Sequence, residues 1–123
     1  MQFSVDTFVP VADGVFVAVA QPAGVNIGVV AGPSGCLVVD TGSSPAQGAE
    51  IRLRAEELTG VPVVGAVVTH WHYDHLYGVA GFAGLPTWAH ETVPAWLDRP
   101  EARQASAALG VEHGSLALPS DTF

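Results

Sequence analysis

Lysine is absent from these 123 residues, and only four arginines stand against twelve acidic residues, a formal charge of −8. A surface so poor in cations repels polyanions, which argues against a nucleic-acid partner. Cysteine is limited to Cys36. No disulfide can close within the chain, so an oxidising compartment is not implied, and Cys36 in its strand-like run reads as a small buried hydrophobe. Long apolar runs are missing too. Residues 25–30 and 61–68 are apolar but broken by asparagine, glycine or proline, well short of the ~20 residues a membrane helix needs. The first six residues carry no basic side chain and lead into no apolar segment, so they do not resemble a secretory signal. The expectation is a cytoplasmic protein without membrane association.

What is present is 49% apolar content, one domain's worth of material over residues 1–123, with enough apolar side chains for a core if its sheet finds a facing layer. Residues 15–20, 25–31 and 36–40 read as β-branched strands, the last two joined by the turn Gly32-Pro33-Ser34-Gly35. Ser44-Pro45-Ala46-Gln47 reads as a helix start, with Ser44 as N-cap, Pro45 in the first position and Gln47 reaching back. Ile51, Ala55 and Leu58 then form one apolar face, with Arg52, Arg54, Glu56 and Glu57 largely off it, and Gly60 closes the helix in a left-handed cap. Residues 63–69 are expected to form a strand covered on both faces. Residues 77–82 are expected to form a short helix, residues 85–89 a strand, and two short helices should follow before residue 109, the second opening at Pro100. Residues 110–123 read as a connector.

Directly after the 63–69 run come His70-Trp71-His72-Tyr73-Asp74-His75. Imidazole and carboxylate without thiolate are the ligands of catalytic rather than structural zinc. Side chains two apart share one side of a strand, so His70 and His72 project together, and Asp74 and His75 follow from the turn. They complete that metal's shell or begin a second one. Trp71 and Tyr73 alternate with the donors and face away, into the core or along a pocket rim. His90, His113, Trp88 and Trp96 read as ordinary packing or surface residues.

The pattern His-x-His-x-Asp-His after a buried strand, preceded by Val38-Val39-Asp40-Thr41-Gly42 at an earlier strand end, resembles the metallo-β-lactamase superfamily. The resemblance implies an α+β fold, of which this chain looks like the N-terminal αβ half: a mixed sheet with flanking helices, taken from an αββα sandwich of two sheets. It also implies metal ligands His70, His72, Asp74 and His75, with Asp40 orienting the metal loop. The implied cofactor is one or two zinc ions, with iron or manganese as alternatives. The implied activity is hydrolysis of an ester, thioester, lactone or amide-type bond in a small-molecule substrate by zinc-bound hydroxide, which Asp74 holds in line.

Two departures stand out. Family members run to about twice this length, their second half supplying further ligands, and where they often carry two glycines after the metal loop, Tyr77 precedes the single Gly78. One alternative is therefore a non-catalytic, partial zinc-binding fragment that needs a partner half or homodimerisation. A distant alternative reads Asp40-Thr41-Gly42 as the active-site turn of a dimeric aspartic protease, two copies of Asp40 sharing a proton.

Overall fold

The computed structural model describes residues 2–123. Eight strands form one sheet: β1 (Ser4–Val5), β2 (Val9–Ala12), β3 (Val15–Gln21), β4 (Val25–Ala31), β5 (Cys36–Val39), β6 (Val63–Val67), β7 (Thr87–Ala89) and β8 (Asp121–Thr122). Their order is β1-β3-β4-β5-β6-β7-β8, with β2 pairing β3 as β1 does. Pairing is antiparallel as far as β5 and parallel from β5 to β8. The switch follows from the connections: short turns return the chain at once, whereas a helical crossover brings it back in the same direction. The sheet is thus mixed and flanked by helices, as expected.

The crossover is α1 (Pro45–Thr59). Ser44 Oγ accepts from the Gln47 backbone N–H at 3.0 Å, and Gly60 caps the other end at φ 71°. Gln47 does reach back, but to the N–H of Ser43 rather than of the cap residue, at 2.8 Å. Its amide nitrogen donates to the carbonyls of Ser4 and Gln21, so a buried side chain joins the helix start to two edge strands. Ile51 and Ala55 are fully buried against the sheet, but Leu58 is 38% exposed, a turn too far along to be covered. Val64 is 50% exposed, so β6 is not covered on both faces throughout; it lies where the β5–β6 register shifts.

Two apolar clusters result. The first packs Ala18, Ile27, Val29, Val38 and Ala66 of the sheet with Ile51 and Ala55 of α1 and Phe82. The second holds Val68, Leu76, Tyr77, Val79 and Ala89 with Val93, Leu97 and Leu109. It brings in α2 (Tyr73–Leu76), α3 (Val93–Trp96) and α4 (Pro100–Leu109). The expected helix over residues 77–82 is instead α2 followed by a 3-10 turn at Val79–Phe82, and β7 begins two residues later than expected. The 110–123 span holds a 3-10 turn at His113–Ser115 and then β8, which pairs parallel with β7. Among the described residues no helix is long and apolar enough to cross a membrane.

Where the two clusters meet, backbones touch. A Cβ on Gly48 of α1 would lie 2.0 Å from the Gly78 carbonyl oxygen, and one on Gly78 would lie 1.7 Å from that of Thr41. The glycine that follows the histidine segment thus permits contact between helix, strand end and loop. Tyr77, which stands where a second glycine was expected, turns inward and donates to the Ala102 carbonyl at 2.6 Å, tying the loop to α4. Burial raises the Tyr77 phenol pKa, and its contact with Ser106 lowers it by less. A phenol held neutral in the fold stabilises it below the ordinary value of about 10, and that contribution is lost as pH rises through the raised value. Thermal melts from about pH 8 to 11 should therefore fall more steeply for the native chain than for Tyr77→Phe.

Candidate metal centre

All the predicted donors gather at the C-terminal end of β5 and β6. Asp40 follows β5 directly, in the left-handed region at φ 69°, which asparagine and aspartate tolerate better than most residues. It is 4% exposed, and its carboxylate is fully engaged. Oδ1 accepts from the Thr69 N–H at 2.8 Å and from Thr69 Oγ1 at 3.0 Å, and Oδ2 accepts from His75 Nδ1 at 2.7 Å. The Thr41 N–H and hydroxyl both donate to the His75 carbonyl, at 3.0 and 2.7 Å, so His75 is held by backbone and side chain alike.

These bonds assign the tautomers, because a carboxylate only accepts. His75 must carry a proton on Nδ1, so in its neutral form Nε2, 3.6 Å from Asp74 Oδ2, is the unprotonated nitrogen. Thr69 spends its single hydroxyl proton on Asp40, so its oxygen accepts from His70 Nδ1 at 2.9 Å. His70 Nε2 is thereby left unprotonated too, and it accepts a hydrogen bond from His72 Nδ1 at 3.1 Å. One carboxylate therefore orients two imidazoles, one directly and one through Thr69, an arrangement also found around metal-binding histidines. Thr69, the relay, was not foreseen from sequence; no periodicity marks it.

Electrostatics divide the two rings. Burial lowers the pKa of His70, and the neighbouring His75 and His72 lower it further against Asp40 and Asp74. For His75 burial is again the largest influence and lowers the pKa, but the hydrogen bond and charge of Asp40, with Asp74 adding, carry it above the ordinary value.

Two nitrogens bound at 2.0–2.1 Å to one tetrahedral ion stand roughly 3.3 Å apart, close to the 3.1 Å between His70 and His72. The donor chemistry and this spacing fit zinc. The donors nevertheless come in pairs: among the described residues, no group of three or more His, Cys, Asp or Glu side chains could hold a metal ion.

A family model, that of the metallo-beta-lactamase superfamily, matches residues 20–116. The chain belongs to the metallo-beta-lactamase superfamily. It is similar to a metallo-beta-lactamase from Hirschia baltica, with a TM-score of 0.67 and 24% identity over 97% of this chain and 52% of that one. It is also similar to the metallo-beta-lactamase FIM-1 from Pseudomonas aeruginosa in its mono-zinc form, with a TM-score of 0.66 and 22% identity over 97% and 50%. A linear primary-alkylsulfatase from a Pseudomonas species is 31% identical over 87 residues, 71% of this chain and 16% of that protein. The chain thus spans about half the length of the solved structures it matches and a smaller part of the curated relative, consistent with an N-terminal half of this fold.

The remaining site expectations divide. Tyr73 packs into the second core cluster, whereas Trp71 is 41% exposed and rests on Trp96 with ring centroids 4.3 Å apart. Trp96, taken from sequence as a packing residue only, also lines a groove with Trp71. His113 accordingly stays structural, between Ser106 Oγ and the Leu97 carbonyl. The protease reading of Asp40 does not suit the geometry: its oxygens are taken up by Thr69 and His75 inside the chain, so they cannot share a proton across a dimer.

Proposed function

We propose that this chain carries metal-binding residues of a hydrolase acting on ester-type bonds, His70 and His72 holding one zinc ion and Asp74 and His75 a second. The observation that carries this reading is the shared lock on Asp40, which leaves one nitrogen unprotonated on each of the neutral His70 and His75 rings. When bound, zinc lowers the pKa of a water ligand to about 7 and polarises the bond to be cut. The chain's own part is to fix geometry. Asp40 and Thr69 hold the ring orientations, and Asp74, the catalytic residue of this reading, accepts a hydrogen bond from the attacking water and orients it. The likeness to an alkylsulfatase supports trying sulfate esters first, ahead of carboxylic esters, thioesters and lactones.

Native mass spectrometry with and without added zinc tests the metal, alongside assays with 4-nitrophenyl sulfate and 4-nitrophenyl acetate. Zinc is expected on the chain and is lost from the His70→Ala/His72→Ala variant; a chain that takes up no zinc overturns the reading. Pairing of the donors, with no group of three among the described residues, favours a second reading in which zinc is bound but turnover waits for ligands from a partner segment or a second copy. A zinc-bearing dimer in the same spectrum supports that version, and a zinc-bearing monomer with hydrolytic activity rules it out.

A further inference from the structure

Beside the histidines lies a groove that the proposed chemistry does not use. Trp71, Thr92, Ala95, Trp96 and Arg99 line a cavity of about 320 Å³, within the range of small-molecule sites. It adjoins the candidate metal centre, because the Trp71 ring stands edge-on to His72 with centroids 4.5 Å apart. Its two indoles are tilted 44° to one another, and they present a broad apolar wall.

One charged group in that wall lacks a partner. Arg54 is held by the Val5 and Asp6 carbonyls and lies 3.8 Å from Glu50, and Arg52 donates to the Ala83 carbonyl. The Arg99 and Arg103 guanidiniums, by contrast, join no hydrogen bond or salt bridge among the described residues, and of the two it is Arg99 that lines the groove.

We propose that this groove is a substrate subsite for an organic anion, whose alkyl or aryl body lies along Trp71 and Trp96 and whose anionic group remote from the bond to be cut, a carboxylate or a second sulfate, is held by Arg99. A planar guanidinium binds such groups through two parallel hydrogen bonds, and aromatic faces accept the apolar body. The charge of the whole chain sharpens the inference. At −8 the molecule repels anions at long range, so a preference for an anion over its neutral analogue has to come from a local, unpaired cation. As a substrate subsite it rests on the hydrolase reading, since it would hold the part of the substrate remote from the histidines.

Binding separates the two ideas, because it needs neither metal nor turnover. Hexyl sulfate, hexanoate and hexanol are titrated into the chain in the presence of a chelator, with tryptophan fluorescence as the readout. The expected result is saturable quenching by an anion, about ten-fold tighter than by hexanol and about ten-fold weaker in Arg99→Gln. Trp71→Ala should abolish the quenching. Both substituted residues are exposed, and far-UV circular dichroism confirms that the variants fold. The tighter of the two anions identifies the head group. Hexanol binding as tightly as the anions, or Arg99→Gln binding like the native chain, overturns the proposal whatever becomes of zinc.

Discussion

Gly78→Ala is expected to destabilise the chain by about 3 kcal/mol, the upper end of what an overpacked site costs. The cause is the 1.7 Å that would separate the new Cβ from the Thr41 carbonyl oxygen. No rotamer relieves the clash, because both partners are backbone. Gly48→Ala meets the Gly78 carbonyl from the other side at 2.0 Å and should behave alike. In a chain of this size such a loss lowers the melting temperature by roughly 10 °C. Gly114→Ala is the control. Nothing lies within 4 Å of its Cβ position, so its melt should stay within about 0.5 kcal/mol of the native chain. Equal melts for Gly78→Ala and Gly114→Ala would show that the loop is not anchored as described.

The second large effect is on metal affinity. Asp40→Asn keeps a residue that tolerates the φ of 69° and an oxygen that can still accept from Thr69. Its amide cannot accept from His75 Nδ1, so the imidazole proton is driven to Nε2, the nitrogen facing Asp74. The ring remains but its lone pair points the wrong way. Loss of such a supporting partner costs 10- to 100-fold in metal affinity by typical magnitudes (~1.4–2.8 kcal/mol). Competition with a chromophoric chelator measures it. Asp40→Ala should lose a similar affinity and also leave the Thr69 and His75 donors without their acceptor, for a further stability cost of about 3 kcal/mol. If Asp40→Asn bound zinc like the native chain, the carboxylate would not be setting the tautomer.

Much of this arrangement is written in local signals. The 25–31 strand is read with its bounds intact because its alternation and its flanking turn agree, and α1 is read from a cap, a proline and a closing glycine, each acting within a few residues. The histidine cluster is likewise local. What sequence misread depends on which layers surround an element: Leu58 continues a helical face beyond the sheet that would cover it, and Val64 sits at a register shift. What it missed is long-range or too short to have a period. Thr69 matters only because Asp40, 29 residues earlier, folds back onto it. Trp96 and Arg99 flank or belong to a helix of four residues, too brief to show a face. Tyr77 looked like a lost glycine because its partner, Ala102, lies 25 residues on.

The contact between Asp40 and His75 spans 35 residues, and this sets an order in time. The parallel pairing of β5 with β6 closes a loop containing all of α1, the kind of non-local contact that forms slowly. A growing or refolding chain therefore has its antiparallel hairpins of valine and isoleucine well before it has ordered imidazoles. Early on it is a sticky ribbon with four loose donors; ligand geometry arrives only with the last docking step. If the chain holds metal as proposed, its capture belongs to the end of folding, as a seal on a finished scaffold rather than a seed for it.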